Sequence, residues 1–252
     1  MASAGQKLTQ VTVTEIHSEP SLCLLGHMTE GQLNTFNDFK QNLTSAGLYS
    51  PQIISDDDTE VMRASHDDAT LWRFLRARQF DLVHAQKQFR NAQDWREVHS
   101  VDELFITFPV DEFESARRFY PRWTGRRDKR GLPLYVYRLA ALKGPLEADL
   151  NGTPNERRYQ RIIVLYESMT RFVLPLCASL TDRTSEKSSA VTSVTTIIDL
   201  GHISLASMWS LRHHLQQASV LATANYPETL NTIAVVNAPT FFPTVWGWIK
   251  VR

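Results

Sequence analysis

Three arginines are crowded into one short stretch of predicted helix. Arg73, Arg76 and Arg78 lie within six residues, beside the aromatic residues Trp72 and Phe74. A guanidinium group can donate paired hydrogen bonds to phosphate oxygens, and ordinary helix capping does not require so dense a charge. The cluster therefore indicates a phosphate-binding site, with a solvated helix face as the alternative.

One carboxylate lies where an α/β enzyme would use it. Asp199 is near the end of a β-branched run over residues 191–200, a predicted strand. Carboxylates at the carboxyl ends of parallel strands often face the ligand crevice. Asp199 has no visible catalytic partner, and it is equally suited to hydrogen-bonding the turn that begins at Leu200-Gly201. We favour this structural interpretation, and an α/β hydrolase-like or nucleotide-using enzyme centred on Asp199 is the alternative.

The standard loops of cofactor and nucleophile chemistry are missing from the sequence. Its ten glycines form no GxG fingerprint, and neither GxxxxGK[ST] nor GxSxG is present. The adjacent histidines His213 and His214 point about 100° apart on a helix, so they cannot share a metal ion without a distant third ligand. We therefore predict no catalytic residue, no cofactor and no metal site.

A strongly basic segment covers residues 115–131. Seven Lys and Arg residues there are opposed by Asp128 alone, which gives a local charge of +6. The run from Arg126 to Arg130 could be a nuclear signal or a patch for an anionic surface, and a solvated turn feeding a strand is the preferred interpretation.

Composition limits the class of protein. The 252-residue chain has 27 Lys and Arg against 27 Asp and Glu, so no whole-protein field draws it to nucleic acid. The two cysteines, Cys23 and Cys177, form no CxxC motif, which fits a reducing cytosol rather than a disulfide framework or a zinc knuckle. The early apolar run is far shorter than a membrane span, so we predict neither secretion nor a transmembrane segment.

The first hundred residues favour a mobile arm followed by helices. Residues 1–28 have no usable hydrophobic period, and residues 56–68 form an acidic connector that ends in Asp67 or Asp68 as a candidate N-cap. Two short helices joined at Gln79-Phe80-Asp81 make a helical hairpin. The first helix has apolar residues at steps of three and four before Gly47, namely Leu33, Phe36, Phe39, Leu43 and Ala46.

Beyond Pro133 the pattern alternates between strands and long helices. Strands are predicted over residues 134–139, 191–200 and 232–236, with helices between them. The stretch Thr153-Pro154-Asn155-Glu156 is typical of a capping box with proline at the first helical position, and Pro175 is expected to bend that helix. Strand, helix, strand, helix, strand implies right-handed crossovers, so the fold class is α/β with a mostly parallel sheet.

Five segments, in this order and spacing, resemble the CRAL-TRIO lipid-binding family, and the branch of fungal phosphatidylinositol/phosphatidylcholine transfer proteins in particular. Leu25-Gly26-His27-Met28-Thr29 also resembles that branch. The five segments are residues 70–81 (TLWRFLRARQFD), residues 119–121 with 128–135 (FYP and DKRGLPLY), residues 197–201 (IIDLG), residues 225–228 (NYPE) and residues 236–239 (VNAP).

The resemblance implies a helical subdomain packed on an α/β domain whose sheet floors an apolar lipid pocket. The implied domains are a mobile arm at residues 1–28, a helical subdomain at 29–100 and a lipid-binding domain at 101–252. The implied function is binding and transfer or presentation of single phospholipids, phosphatidylinositol above all, by a cytoplasmic protein at Golgi or endosomal membranes in secretory trafficking. A regulatory or interaction module that does not transfer lipid is the alternative.

The resemblance also implies site residues. Arg78 and Glu228 match positions of the phosphatidylinositol headgroup site, and a carboxylate there could order the arginine or accept hydrogen bonds from inositol hydroxyls. Tyr135 and Thr196 match part of the phosphatidylcholine site, whereas Thr124 and Val194 stand where the pattern has tyrosine and serine. Phosphatidylcholine or another hydrophobic ligand is therefore the alternative to phosphatidylinositol.

Family members continue past the position of Arg252 with a gate helix, so the resemblance implies that the lipid-binding domain is incomplete at its carboxyl terminus. Phe241, Phe242, Trp246 and Trp248 would then lack their usual covering, and the acyl chains of a bound lipid would be partly wet. This predicts weak extraction of lipid from membranes.

Overall fold

The computed structural model describes residues 28–54, 61–142, 145–180 and 191–242. The amino-terminal part consists of helices and one small antiparallel strand pair. Their bounds are α1 (Glu30–Ser45), β1 (Ile53–Ile54), β2 (Val61–Met62), α2 (Asp68–Ala77), α3 (Leu82–Val98), α4 (Val101–Thr107) and α5 (Val110–Ala116).

Local sequence sets the ends of α1. The side chain of Thr29 accepts a hydrogen bond from Gln32 N (3.2 Å), and Gln32 Oε1 accepts one from Thr29 N (3.1 Å), which completes a capping box. Gly47 follows the helix with φ at +70°, as the sequence predicts. Leu33 is 40% exposed, so its assignment to the buried face was wrong. The apolar face consists of Phe36, Phe39 and Leu43.

The predicted helical hairpin is formed by α2 and α3. Asp67 caps α2 by accepting from Thr70 N (2.7 Å), and Asp81 caps α3 by accepting from His84 N (3.0 Å). Between the helices Gln79 and Phe80 have positive φ values of 51° and 66°, which makes the turn tight. Helices α1, α2 and α3 enclose one apolar core.

The second part contains a four-stranded sheet in the order β3-β4-β5-β6. Strands β4, β5 and β6 are parallel, as predicted, whereas the edge strand β3 pairs antiparallel with β4. The run from Arg126 to Arg130 was expected to be a turn before a strand. Arg126 and Arg127 instead end the exposed edge strand β3, whereas Lys129 and Arg130 form a turn before β4. The bounds are β3 (Arg122–Arg127), β4 (Pro133–Arg138), β5 (Val194–Asp199) and β6 (Leu230–Val236).

Helices alternate with these strands. After a 3₁₀ turn at Leu139–Leu142 come α6 (Pro145–Gly152), α7 (Asn155–Ser168), a π-helical turn (Met169–Val173), α8 (Leu174–Ser179) and, between β5 and β6, α9 (Leu205–Asn225). The core of this part lies between the sheet and helices α7 and α9, and Phe242 belongs to it. Of the four carboxyl-terminal aromatics, Trp246 and Trp248 lie outside the described residues.

The capping box predicted at Thr153 is absent. Helix α7 begins at Asn155 with Pro154 as its N-cap and no side-chain cap. The reason is that Thr153 Oγ1 donates to Asp149 O (2.8 Å) and accepts from Arg161 Nη1 (3.2 Å), so it is committed elsewhere. A π-helical turn ends two residues before Pro175, and the bend expected at this proline stays a prediction.

Residues Asn155–Ser179 form one helical run that is long and apolar enough to cross a membrane by length and composition. The core helix of a soluble domain passes the same test. Ile162, Ile163 and Val164 are buried in the interior, and Glu167 ties the run to α3 through Arg96. We therefore interpret it as a core helix of the α/β part.

Candidate functional site

An apolar cavity of about 250 Å³ lies between the sheet and the helices α7 and α9. Its floor comes from alternate residues of β5, because successive strand side chains point to opposite faces. Val194, Thr196 and Ile198 all line it, and across the sheet Tyr135 and Ile233 are the register partners of Thr196. The lining is mostly aliphatic and aromatic, which suits a hydrocarbon ligand.

Several polar groups on this cavity have no hydrogen-bond partner among the described residues. They are Thr196 Oγ1, Tyr137 Oη and both ring nitrogens of His214, on residues that are 3%, 5% and 5% exposed. A buried polar group without a partner costs roughly 1–3 kcal/mol, so a ligand that hydrogen-bonds these atoms would recover free energy. They are positioned to fix a ligand inside the apolar cavity.

The two residues assigned to phosphatidylcholine both lie on this cavity. Tyr135 and Thr196 are directly paired in the β4–β5 register. The two residues that differ from the family pattern lie in different places. Val194 lines the cavity, whereas Thr124 is exposed on β3 and donates to Leu134 O (2.9 Å). The structure therefore brings together the matching pair and leaves Thr124 on the edge strand.

A second, polar cavity of about 250 Å³ contains both residues assigned to the phosphatidylinositol headgroup. Arg78 comes from the end of α2, and Glu228 from the corner before β6. Ala222, Thr223 and Leu230 line this cavity and the apolar one, so the two adjoin. The arrangement is that of an apolar compartment with a charged end.

Arg78 and Glu228 do not pair with each other, contrary to the expectation that the carboxylate orders this arginine. Arg78 Nε donates to Gln88 Oε1 (2.8 Å), and Glu228 lies 3.5 Å from Arg76 Nε. Gln88 Nε2 in turn donates to the carbonyls of Thr223 (3.0 Å) and Ala224 (3.1 Å) at the end of α9. Arg78 is therefore positioned by an amide, and its remaining donors stay available.

Glu228 sits in a strained backbone conformation. Its φ is +56°, in the left-handed region that costs a residue with a side chain roughly 1 kcal/mol. The buried residues Tyr226, Pro227 and Thr229 hold the corner around it. Strain of this kind, kept in place by packing, is common at ligand sites.

Asp199 is engaged in structural contacts. Its Oδ1 accepts from Gly201 N (2.9 Å) and Asn237 Nδ2 (2.9 Å), and Oδ2 lies 3.5 Å from Arg138 Nε. These hydrogen bonds lower the pKa of Asp199, so it is an anion at neutral pH. Asp199 lies at the carboxyl end of the strands, and Glu228 lies before the start of β6, roughly 20 Å away along the sheet.

Part of the basic segment is tied to the sheet. Arg130 Nη2 donates to Asp128 Oδ2 (3.0 Å), Thr195 Oγ1 (3.1 Å) and Thr232 Oγ1 (3.1 Å). The charges on β3 are exposed, in keeping with the preferred solvated interpretation.

Sequence reasoning missed Tyr137 and His214 as cavity residues. Tyr137 could have been predicted from the sequence, because it follows Tyr135 at the strand period of two and so lies on the same face of the sheet. His214 was treated as a structural or surface residue, and only the packing of α9 against Tyr120, with ring centroids 4.9 Å apart, brings it to the cavity. Among the described residues, no group of three His, Cys, Asp or Glu side chains could hold a metal ion.

His214 predicts a pH dependence of stability. Burial, with the nearby Arg158 charge, lowers the pKa of His214 to about 4 from 6.5. The unfolded chain therefore binds the extra proton first, and stability falls as pH decreases from about 6.5 toward 4. Between pH 7 and pH 5, the free energy of unfolding should fall by about 2 kcal/mol more in the wild type than in His214→Gln.

Urea unfolding at both pH values measures this difference, with the exposed neighbour variant His213→Gln as the control. Equal pH slopes for the wild type and His214→Gln would show that His214 titrates normally in the folded protein.

Comparisons with known proteins show which family this chain resembles. The CRAL/TRIO domain model matches residues 121–251, and the CRAL/TRIO N-terminal domain model matches residues 35–91. The SEC14 cytosolic factor of Candida glabrata is 31% identical over 225 residues, which cover 89% of this chain and 67% of that protein. The Sec14 cytosolic factor of Schizosaccharomyces pombe is also 31% identical, over 89% of this chain and 71% of its own length.

More distant similarities agree. The phosphatidylinositol/phosphatidylcholine transfer protein SFH9 of Arabidopsis thaliana is 30% identical over 88% of this chain, which spans only 35% of that protein. The crystal structure of Sfh5 superposes with a TM-score of 0.54 over 89% of this chain and 76% of that chain, at 17% identity, which supports the fold alone.

Proposed function

The chain belongs to the CRAL/TRIO domain family, and from this premise we propose that it binds single phospholipids, above all phosphatidylinositol, and transfers or presents them between membranes. The observation that carries the proposal is the apolar cavity that adjoins a polar cavity containing Arg78 and Glu228. One compartment suits acyl chains and the other suits a charged headgroup.

The energetics explain why such a compartment is needed. The two acyl chains of a phospholipid contain roughly 30 methylenes, and exposing each to water costs about 0.8 kcal/mol, so free transfer costs on the order of 20 kcal/mol. An apolar enclosure offsets this cost, and no covalent chemistry is required. Asp199, far from the headgroup residues, keeps a structural role in this account.

The cavity must open to admit a lipid. Its volume of about 250 Å³ is at the lower limit of ordinary small-molecule sites, which is small for two acyl chains. We propose that α9 moves away from the sheet during loading, because α9 forms one wall of both cavities and has a long exposed face that includes Trp209 and Val220.

At the polar end, Arg78 would donate to the phosphodiester, and Glu228 would accept from inositol hydroxyls. Phosphatidylcholine would use Tyr135, whose ring suits a quaternary ammonium, and Thr196, whose hydroxyl is unpartnered. The headgroups of the two lipids would then occupy different positions in adjoining cavities.

Arg78→Ala and Glu228→Ala test the headgroup assignment. Each should reduce phosphatidylinositol loading at least about tenfold, because a lost charge-assisted hydrogen bond costs roughly 1.5–3 kcal/mol. Phosphatidylcholine loading should change little. Loading is measured by lipid extraction and mass spectrometry after incubation with mixed vesicles.

Arg90→Ala, an exposed arginine on α3, is the matched control, and thermal unfolding verifies that all three variants fold. Unchanged phosphatidylinositol loading in both site variants would remove the assignment. Salt-sensitive binding to anionic vesicles without any lipid loading would instead favour a regulatory or interaction module. As to location, we propose a cytosolic protein that contacts Golgi or endosomal membranes transiently, in keeping with relatives named cytosolic factors.

A further inference from the structure

A third cavity, of about 610 Å³, lies between the helical part and the α/β part, and we infer that it binds a small phosphate-bearing anion through Arg73. We call it the charged cavity. Its lining comes from α2, α3, α4, α7 with its π turn, and the corner at Asn225 and Tyr226.

Arg73 is the arginine of this cavity that forms no described ion pair. It is only 6% exposed, and its Nε has no hydrogen-bond partner among the described residues. Its one described hydrogen bond, from Nη2 to Thr70 Oγ1 (3.0 Å), leads to a neutral hydroxyl. No described carboxylate forms an ion pair with it. The Asp67 carboxylate attracts Arg73 only through space, so an entering anion would give this buried cation a direct partner.

The other charges in the cavity are committed to one another. Arg96 donates to Glu167 (2.8 Å) and Asp102 (3.1 Å), and Arg171 pairs with the same two carboxylates. Asp67, the remaining acid of the cavity, is exposed and caps α2 through Thr70 N. The cavity thus contains three guanidinium groups and three carboxylates, and Arg73 is the arginine without a direct carboxylate partner among the described residues.

The start of α2 adds to the attraction. Helix α2 has ten residues, and its N-cap Asp67 and first-turn residue Thr70 both line the charged cavity. The first backbone N–H groups of a helix lack intrahelical partners, and the helix dipole is positive there. Asp67 already accepts from Thr70 N, so it is the helix dipole, rather than a free N–H group of Thr70, that adds to the attraction of Arg73.

The chemistry of the ligand follows from these donors. A guanidinium matches the paired oxygens of a phosphate, and a tetrahedral phosphate can accept from a second group at the same time. A volume of about 610 Å³ falls within the roughly 300–1,000 Å³ of small-molecule sites, so the phosphate can carry a small organic body. The phosphate could come from a soluble ester or from a lipid headgroup.

This site is separate from the proposed lipid site. At the π turn Met169 lines the apolar cavity, whereas the next residues, Thr170 and Arg171, line the charged cavity. Arg78 and Glu228 do not line the charged cavity. A ligand on Arg73 is therefore distinct from a headgroup on Arg78.

The test is calorimetric titration with inorganic phosphate and with glycerol 3-phosphate, against chloride at equal ionic strength. Arg73→Gln should weaken phosphate binding at least about tenfold, because a charged partner is lost, and Arg90→Gln should leave it unchanged. Absence of phosphate binding to the wild type, or equal binding by Arg73→Gln and the wild type, would overturn the inference.

A second measurement tests the site even if the Arg73→Gln variant does not fold. In the wild type, the NMR signal of the Arg73 Nε–H group should shift on addition of phosphate and stay in place on addition of chloride. No specific shift would contradict the site. Binding of phosphatidic acid vesicles in preference to phosphatidylcholine vesicles, lost in Arg73→Gln, would identify a lipid as the source of the phosphate, and binding of the soluble esters alone would identify a soluble ligand.

Discussion

Ala218→Trp should reduce phospholipid loading to background, a loss of more than tenfold. Ala218 lies on α9 and lines the apolar cavity, where the next turn of the helix also contributes Ala222. An indole at this position fills the space that the acyl chains need. Because it occupies an existing cavity, the substitution should not lower stability, and cavity filling often raises it.

Val220→Trp is the matched control for this prediction. Val220 is on the same helix but 54% exposed, and it does not line the cavity. Its tryptophan should point to solvent and leave loading unchanged. Normal loading by a folded Ala218→Trp protein would mean that lipid does not occupy this cavity.

Glu167→Ala should lower the free energy of unfolding by about 3–5 kcal/mol, the usual cost of breaking a buried ion pair by removing one partner. Glu167 is 1% exposed and accepts from Arg96 Nη1 (2.8 Å), Arg171 Nε (2.5 Å) and Tyr226 Oη (2.6 Å). Removing it leaves the Arg96 guanidinium half-buried without its main counter-charge. It also removes the ion pair that links α3 to α7 and the hydrogen bond from Tyr226, at the corner that precedes β6.

The control is Glu114→Ala, since Glu114 pairs with Arg117 (2.8 Å) on the surface with its side chain 56% exposed. That variant should cost less than about 1 kcal/mol. Urea unfolding measures both. A loss of less than about 1 kcal/mol for Glu167→Ala would show that the network contributes little to stability.

Helix caps and strands with a hydrophobic period of two are the parts of the fold that the sequence predicts well. The N-cap of α2 was predicted at Asp67 or Asp68, and it is Asp67, which accepts a hydrogen bond from the backbone N–H of Thr70. The three parallel strands are rich in aromatic or β-branched residues and, apart from Arg138 and Leu230, are buried or partly buried, so their pattern is strong. Strand β3 escaped prediction because Arg122–Arg127 is basic and exposed, and its bulge with β4 removes the alternation.

The candidate site was predicted residue by residue, but its contacts were not. Arg78 and Glu228 share a cavity, yet Glu228 pairs with Arg76, because positions two apart on a helix point about 200° apart. Arg73, from the same cluster, faces a different cavity. The charged cavity joins residues from five separate segments, and no local pattern of spacing could have brought them together. The assigned lipid contacts and the domain boundary at residue 100 remain predictions.

Native mass spectrometry tests the central claim most directly. The 252-residue chain is incubated with mixed phospholipid vesicles, purified and weighed intact, and the lipid is identified after denaturation. We predict a bound phospholipid, at no more than one per chain because extraction is weak, that is enriched in phosphatidylinositol and absent from Ala218→Trp. A folded wild-type chain without lipid, or one that retains the same lipid after Ala218→Trp, would contradict the claim that this cavity holds a phospholipid.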